Sequence, residues 1–312
     1  MGSGKIRISL LLVGSLAIIA GIILGGVAAL YHDLPPIRQL ESYTPSAITR
    51  IYAADDQLLT ELFTERRDPA ALAEIPQFLI TAVLAVEDRQ FYDHPGVNLR
   101  AILRALITDL KAGGFVQGAS TITQQLVKTL FLTHEKTLVR KLREALLAVQ
   151  LERRYTKDEI LTLYLNQIYL GSGAYGVGAA ARIFFGKALD ELTLGECALI
   201  AAMPRAPSRY SPQVNPELAR QRRDLVLKQM AATGIVAPEL ARQAAAEPLT
   251  LAAVKPRIAR APYFTAYVSK TLEDQIGADL LYQGGLTITS TLNADLQQTA
   301  DSALTHGLAN LE

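Results

Sequence analysis

Glu87-Asp-Arg-Gln-Phe-Tyr-Asp-His-Pro-Gly96, Gly118-Ala-Ser-Thr-Ile-Thr-Gln-Gln125 and Arg140-Lys-Leu-Arg-Glu144 follow one another inside a stretch whose apolar residues repeat at helical spacing. Ile80, Val83 and Leu84 precede the first block, and Leu99, Ile102, Leu103, Leu106, Ile107 and Leu110 separate it from the second. Steps of three and four residues match the 3.6-residue period of a helix. Thr156-Lys-Asp-Glu159 and Thr193-Leu-Gly-Glu196 both have the Ser/Thr-x-x-Glu form of a capping box ahead of an apolar run. Asn215-Pro-Glu217 offers a cap residue followed by proline at the first helical position. Residues 70–247 are therefore expected to form a mainly α body.

Working outward, residues 31–69 read as a linker with short strands. Leu34-Pro-Pro-Ile37 interrupts any helix, and Ser46–Phe63 suggests a hairpin around Asp55-Asp56. Composition changes again near Glu247-Pro248. The remaining residues, 248–312, form a small α/β tail: helical over Pro262–Ile276, strand-like over Gly284–Leu292, helical over Asn293–Leu308. That tail is too short to bury a core of its own. At the other end, Ile8–Leu30 is uncharged, and roughly 23 residues rising about 1.5 Å each would cover a hydrocarbon layer of roughly 30 Å. It is longer than a signal-peptide core. Lys5 and Arg7 precede this stretch and Asp33 follows it, so residues 1–7 are expected to be a cytoplasmic tail, 8–30 a transmembrane helix, and the rest extracytoplasmic.

The 312 residues are half hydrophobic and carry 31 basic against 30 acidic side chains, a net charge of +1. That balance gives no bulk attraction for nucleic acid. Cys197 is the sole cysteine, which excludes an intrachain disulfide and a thiolate metal site. His32, His94, His134 and His306 are scattered without ligand spacing.

The three opening blocks carry the chemistry. Glu87-Asp88 ends an apolar helix, where partial desolvation suits a carboxylate to general-base work. Alone, the pair reads as a solvated helix end. Ser120, Thr121, Gln124 and Gln125 begin a further helix behind a glycine-rich loop, Lys111–Gly118, with hydroxyls and backbone N–H groups placed to hold a phosphate or a sugar. Arg140 and Glu144 could be an ordinary i,i+4 pair, yet Lys136, Lys141 and Arg143 add positive charge. Tyr164-Leu-Asn166 and Gly173-Ala-Tyr-Gly-Val-Gly178 supply aromatic, amide and glycine positions of the kind that line a carbohydrate groove.

Taken together and in order, these blocks resemble the peptidoglycan glycosyltransferase domain of class A penicillin-binding proteins. Lys157-x-x-Ile-Leu-x-x-Tyr-Leu-Asn166-x-x-x-x-Gly171 and Ala198–Pro212 extend the likeness. The resemblance implies a lysozyme-like fold with a hydrophobic flank in the bilayer of the bacterial inner membrane. The implied substrates are lipid II and the growing glycan chain, joined by an inverting β-1,4 transfer. By the same likeness, Glu87 is the general base, and Glu144 with Arg140 and Lys141 manages the departing diphosphate. A Mg or Mn ion at Glu144 belongs to the expectation; a nucleotide cofactor does not. Asp88, Phe91, His94, Ser120, Thr121, Gln124, Gln125 and Asn166 are expected to bind substrate. Other cell-wall synthesis proteins are expected partners. Residues 248–312 resemble the connector toward a transpeptidase domain, and no Ser-x-x-Lys, Ser-Asp-Asn or Lys-Thr-Gly occurs. A lytic transglycosylase of similar fold and an inactive membrane scaffold are the alternatives.

Overall fold

The computed structural model describes residues 21, 25–26, 29–37, 48–63, 66–114, 118–132, 137–253 and 260–309. Apart from isolated helical positions, the Ile8–Leu30 anchor lies outside them, as do the 1–7 tail, Lys136 and residues 115–117. Among the described residues no helix is long and apolar enough to cross a membrane. The fold is mainly helical with a small sheet. It divides into two units, one of Thr44–Tyr92 with Lys157–Glu312 and one that contains Asp93–Thr156.

The larger unit is organised by α6 (Leu194–Ala202), where every residue from Gly195 to Ala202 is buried. A helix apolar on all sides can be satisfied only inside a core. The Thr193 and Glu196 box anticipated from the sequence starts it: the Thr193 N–H donates to Glu196 Oε2 at 2.8 Å. Lys187 Nζ then neutralises both Glu196 oxygens at 2.8 and 2.9 Å. Two helices, α1 (Gln77–Glu87) and α7 (Pro216–Ala232), pack on α6, and α8 (Pro238–Ala246) packs on α7. Each fully buried Leu or Ile in this layer contributes about 1.5–3 kcal/mol. The start of α7 differs from expectation in one detail. Asn215 stands at the cap, but its amide donates to the Arg209 carbonyl at 3.1 Å and makes no cap bond, so Pro216 alone sets the entry.

The hairpin and the tail belong to one small sheet. Strand β1 (Thr49–Tyr52) pairs antiparallel with β2 (Leu58–Leu62) and, on its other side, parallel with β5 (Thr287–Thr289). Ile51, Ala53 and Leu59 are fully buried, with Phe264 and Val268 of α9 (Pro262–Ile276), Ile288 and Leu292 packed against them. Part of the tail thus packs on the hairpin, while Tyr263, Tyr267, Leu296 and Leu304 stay exposed. A short helix, α10 (Ala278–Gln283), precedes β5 and a longer one, α11 (Ala294–Ala309), follows it. A second parallel pair joins β3 (Arg66–Arg67) to β4 (Ala174–Tyr175), with the Arg67 guanidinium 4.9 Å above the Tyr175 ring.

In the smaller unit, α3 (Ile122–Phe131) packs on α4 (Leu138–Glu152). A 2.5 Å hydrogen bond from Thr123 Oγ1 to Glu152 Oε1 reinforces the pair. Preceding them, α2 (Leu99–Ala112) is capped by Asn98, which accepts from the Ala101 N–H, and ends at Gly113 in the left-handed region. Its apolar stripe is helical as read, yet the structure leaves it outward: Leu99, Leu103, Leu106 and Leu110 are 75, 59, 55 and 74% exposed. Leu138 and Val139 at the start of α4 are exposed as well. Periodicity specified the helix but not what its apolar face meets.

Candidate active site

Glu87 is the last residue of α1 and is half-buried; Asp88 is the C-cap and is buried. The helix stops there because Asp88 leaves helical dihedrals while its N–H still bonds the Leu84 carbonyl at 3.0 Å. A tight turn follows, closed by the Phe91 N–H on the Asp88 carbonyl at 3.1 Å. Phe91 is 1% exposed and meets Tyr92 edge to face at 5.2 Å.

The loop is fixed to α5 (Lys157–Gln167). Lys157 Nζ lies 4.5 Å above the Phe91 ring, and Tyr92 Oη donates to Asp158 Oδ1 at 2.9 Å. Burial and this carboxylate push the Tyr92 phenol up to about 12. At its other end α5 is clamped by Asn166. That side chain donates to the Ala70 and Thr162 carbonyls at 2.8 and 3.0 Å and accepts from the Ala70 N–H at 2.9 Å. Gln167 Oε1 takes an Arg67 guanidinium bond at 2.5 Å. Asn166, expected to bind substrate, is thus occupied in holding the 66–71 segment. Tyr164 sits between the two clamps, 1% exposed. Burial foremost, then the charges of Glu87 and Asp88, raises its phenol well above the usual range.

The second group of expected residues lies in the smaller unit. Glu144 is 2% exposed, and its two oxygens are engaged separately, by Arg140 one turn away and by Lys141 Nζ at 2.7 Å. One buried carboxylate against two cations leaves a net positive charge, suited to an anion. Lys141 Nζ also donates to Ser120 Oγ at 2.7 Å, which joins the entry of α3 to this cluster. Burial, then the charges of Arg140 and Lys128, pushes the Lys141 ammonium down to about 8 despite the nearby carboxylate.

The other residues singled out between Gly118 and Gln125 serve the fold. Thr121 and Gln124 form a capping box: the Gln124 N–H donates to Thr121 Oγ1 at 3.1 Å and the Thr121 N–H to Gln124 Oε1 at 3.0 Å. Thr121 Oγ1 also donates to the Gly96 carbonyl at 2.6 Å. The Thr121 hydroxyl and the Gln124 carbonyl oxygen are engaged at the α3 entrance, while Gln125 is half-buried beside them. His94 is buried, and its Nδ1 accepts the Gly96 N–H at 3.2 Å.

The surroundings of Glu144 do not fit a divalent metal. Two cations occupy its oxygens, and among the described residues no three His, Cys, Asp or Glu side chains gather as a ligand set. Sequence reasoning missed Tyr92, Asp158 and Lys128. The Tyr92 and Asp158 pairing joins positions 66 residues apart, for which a single sequence holds no signal.

Residues 55–231 match the family model described as Transglycosylase, more than half of the chain. The chain therefore belongs to the transglycosylase family. It is 44% identical over 301 residues to penicillin-binding protein 1A of Aquifex aeolicus, covering 96% of this chain and 41% of that one. Against penicillin-binding protein 1F of Bacillus subtilis the identity is 41% over 266 residues, covering 84% and 37%. The crystal structure of penicillin-binding protein 1A from Haemophilus influenzae superposes with a TM-score of 0.51 at 28% identity, over 84% of this chain and 29% of that one. The chain spans about two fifths of the length of the relatives it matches.

Proposed function

We propose that this chain is a peptidoglycan glycosyltransferase of lysozyme-like architecture that polymerises lipid II into β-1,4-linked glycan. Glu87 takes the proton from the acceptor sugar's 4-hydroxyl as that oxygen attacks the anomeric carbon of the donor. The bond from that carbon to the diphosphate oxygen breaks, and the lipid diphosphate leaves with the electron pair, so the configuration inverts. Arg140 and Lys141, oriented by Glu144, neutralise the charge that grows on the diphosphate. Asp88, Phe91 and His94 shape the acceptor side. The observation that carries this reading is the Arg140, Lys141 and Glu144 triad of net positive charge within a transglycosylase domain. A hydrolase cutting finished glycan has no such anion to stabilise.

The outward stripe of α2 supports a bilayer contact. Six large apolar side chains from Leu99 to Leu110 are exposed, accompanied by Arg100, Arg104 and Lys111, the composition of a helix lying at a lipid interface. With the Ile8–Leu30 segment as anchor, the domain would work on the extracytoplasmic face of the inner membrane, where other cell-wall synthesis proteins are its expected partners.

The test is polymerisation of labelled lipid II in detergent by the parent chain and by Glu87→Gln. A general base is worth about 10²–10⁴ in rate, so the variant is expected to make almost no polymer while keeping its circular dichroism. Polymer at the parent rate from Glu87→Gln overturns the base assignment. Release of short muropeptides from purified cell wall would favour a lytic enzyme instead.

A further inference from the structure

A cleft of about 370 Å³ opens where β2, the start of α9 and the first turns of α11 meet, and none of the residues that line it belongs to the Glu87 loop or the Arg140–Glu144 cluster. Its floor is apolar. Leu59 is fully buried, Ala261 is buried, and Leu292 and Ala294 pack on the hairpin core. On one wall stands the Arg260 guanidinium, which is held from two directions: the Arg260 N–H donates to the Leu59 carbonyl at 3.0 Å, and Nη1 donates to Gln57 Oε1. The Gln57 amide is itself oriented, since its Nε2 donates to Asp55 Oδ2 at 3.0 Å. Ala261, next in the chain, has φ near +50°, where a residue with a side chain rarely rests. That turn sends the chain into α9 and leaves Arg260 at the cleft. The other charged wall is α11, where Asp301 accepts from Gln297 Nε2 at 2.8 Å and Gln298 lines the same space.

Arg260 and Asp301 thus share one cleft, yet among the described residues neither forms an ion pair. Opposite charges held apart over an apolar floor, with glutamine amides that both donate and accept, are complementary to a short peptide. The guanidinium suits a carboxylate, the aspartate an ammonium, the glutamines peptide groups, and the floor small apolar side chains. The volume lies near the lower end of the roughly 300–1,000 Å³ of ligand sites, which fits a few small residues. We propose that this cleft binds a short zwitterionic peptide, its carboxylate on Arg260 and its ammonium on Asp301. With Nη1 on Gln57, the remaining guanidinium donors of Arg260 are available for a forked contact with the carboxylate.

A ligand-observed NMR titration of the full chain with trialanine, with no glycosyl substrate present, tests this site separately from the glycosyltransferase reading. A peptide of that size is expected to bind with a Kd of about 0.1–1 mM. Trialanine amide and N-acetyl-trialanine each lack one charged end and are expected to bind about 10–100-fold more weakly, the loss that follows removal of one charged hydrogen bond. Arg260→Gln is expected to weaken trialanine by the same factor and to leave the amide where it was. Asp301→Asn is expected to do so for trialanine and to leave the N-acetyl peptide unchanged. Absence of saturable trialanine binding by the parent, or equal affinity for the three peptides, overturns the proposal. Trialanine binding that survives both substitutions places the peptide elsewhere and overturns this site. The three peptides on the parent chain need no variant, so they decide the matter even where a substitution unfolds the tail.

Discussion

Gly96 packs its bare Cα against the Ala148 carbonyl of α4: a Cβ built there would stand 2.7 Å from that oxygen. The residue also has φ near +95°, a region other residues rarely enter, and its own carbonyl accepts the Thr121 hydroxyl. Gly96→Ala therefore adds both a clash and backbone strain at a point that ties α3 and α4 to the His94 turn. The expected loss is about 2–4 kcal/mol, read as a lower midpoint in urea unfolding. A midpoint within error of the parent would show that the turn can open without cost.

Lys141 supplies a pH signature. Its folded-state ammonium titrates at about 8 rather than 10.5, so the folded protein releases this proton before the unfolded chain does. Folding stability should rise as pH climbs from about 8 toward 10.5, and charge toward the diphosphate should fall over the same window. Polymerisation is expected to decline as pH passes about 8 in the parent and to hold steady in Lys141→Arg. An alkaline decline that persists in the arginine variant would place the titrating group elsewhere.

Asn166→Ala removes three hydrogen bonds to Ala70 and Thr162. The expected cost is about 2–4 kcal/mol, because each bond is worth about 1 kcal/mol and half-buried polar partners lose it. Thermal unfolding by calorimetry reads it directly. If stability is unaffected while lipid II affinity drops, the amide belongs to substrate and not to the 66–71 segment.

Leu103 and Leu106 on α2 are more than half exposed, so their replacement should leave folding untouched. In flotation with anionic vesicles, Leu103→Asn with Leu106→Asn is expected to weaken association of the chain lacking residues 1–30 by about 10²–10⁴-fold, given about 1.5–3 kcal/mol for each leucine fully withdrawn from water. Equal flotation of parent and variant would take the stripe out of the bilayer.

Local rules were legible in the sequence wherever the signal and the contact lie within a few residues. The Thr193 and Glu196 box starts α6 as its spacing implies, and Pro262–Ile276 is helical over the span read from periodicity. Thr121-Ile-Thr-Gln124 also has the form of a capping box, although its hydroxyl and amide read first as ligands. Asn215 shows the limit of even a local rule, since a nearby carbonyl outcompeted the helix end for its amide. What the sequence withheld is pairing at long range. Arg50 lies beside Thr287, and Tyr92 beside Asp158, through the fold alone.

The parallel pairing of β1 with β5 has a mechanical consequence. The Arg50 N–H bonds the Leu286 carbonyl and the Ser290 N–H bonds the Tyr52 carbonyl, each at 2.8 Å. Tension applied between the chain before Thr49 and the chain beyond Leu292 runs along these strands in opposite senses and loads their hydrogen bonds in shear. Bonds in shear must break together, and the residues folded between the two strands carry none of the load. The sheet is a strain relief: a tug between the chain before Thr49 and the chain beyond Leu292 is absorbed at β1 and β5 before it can disturb the loop that carries Glu87.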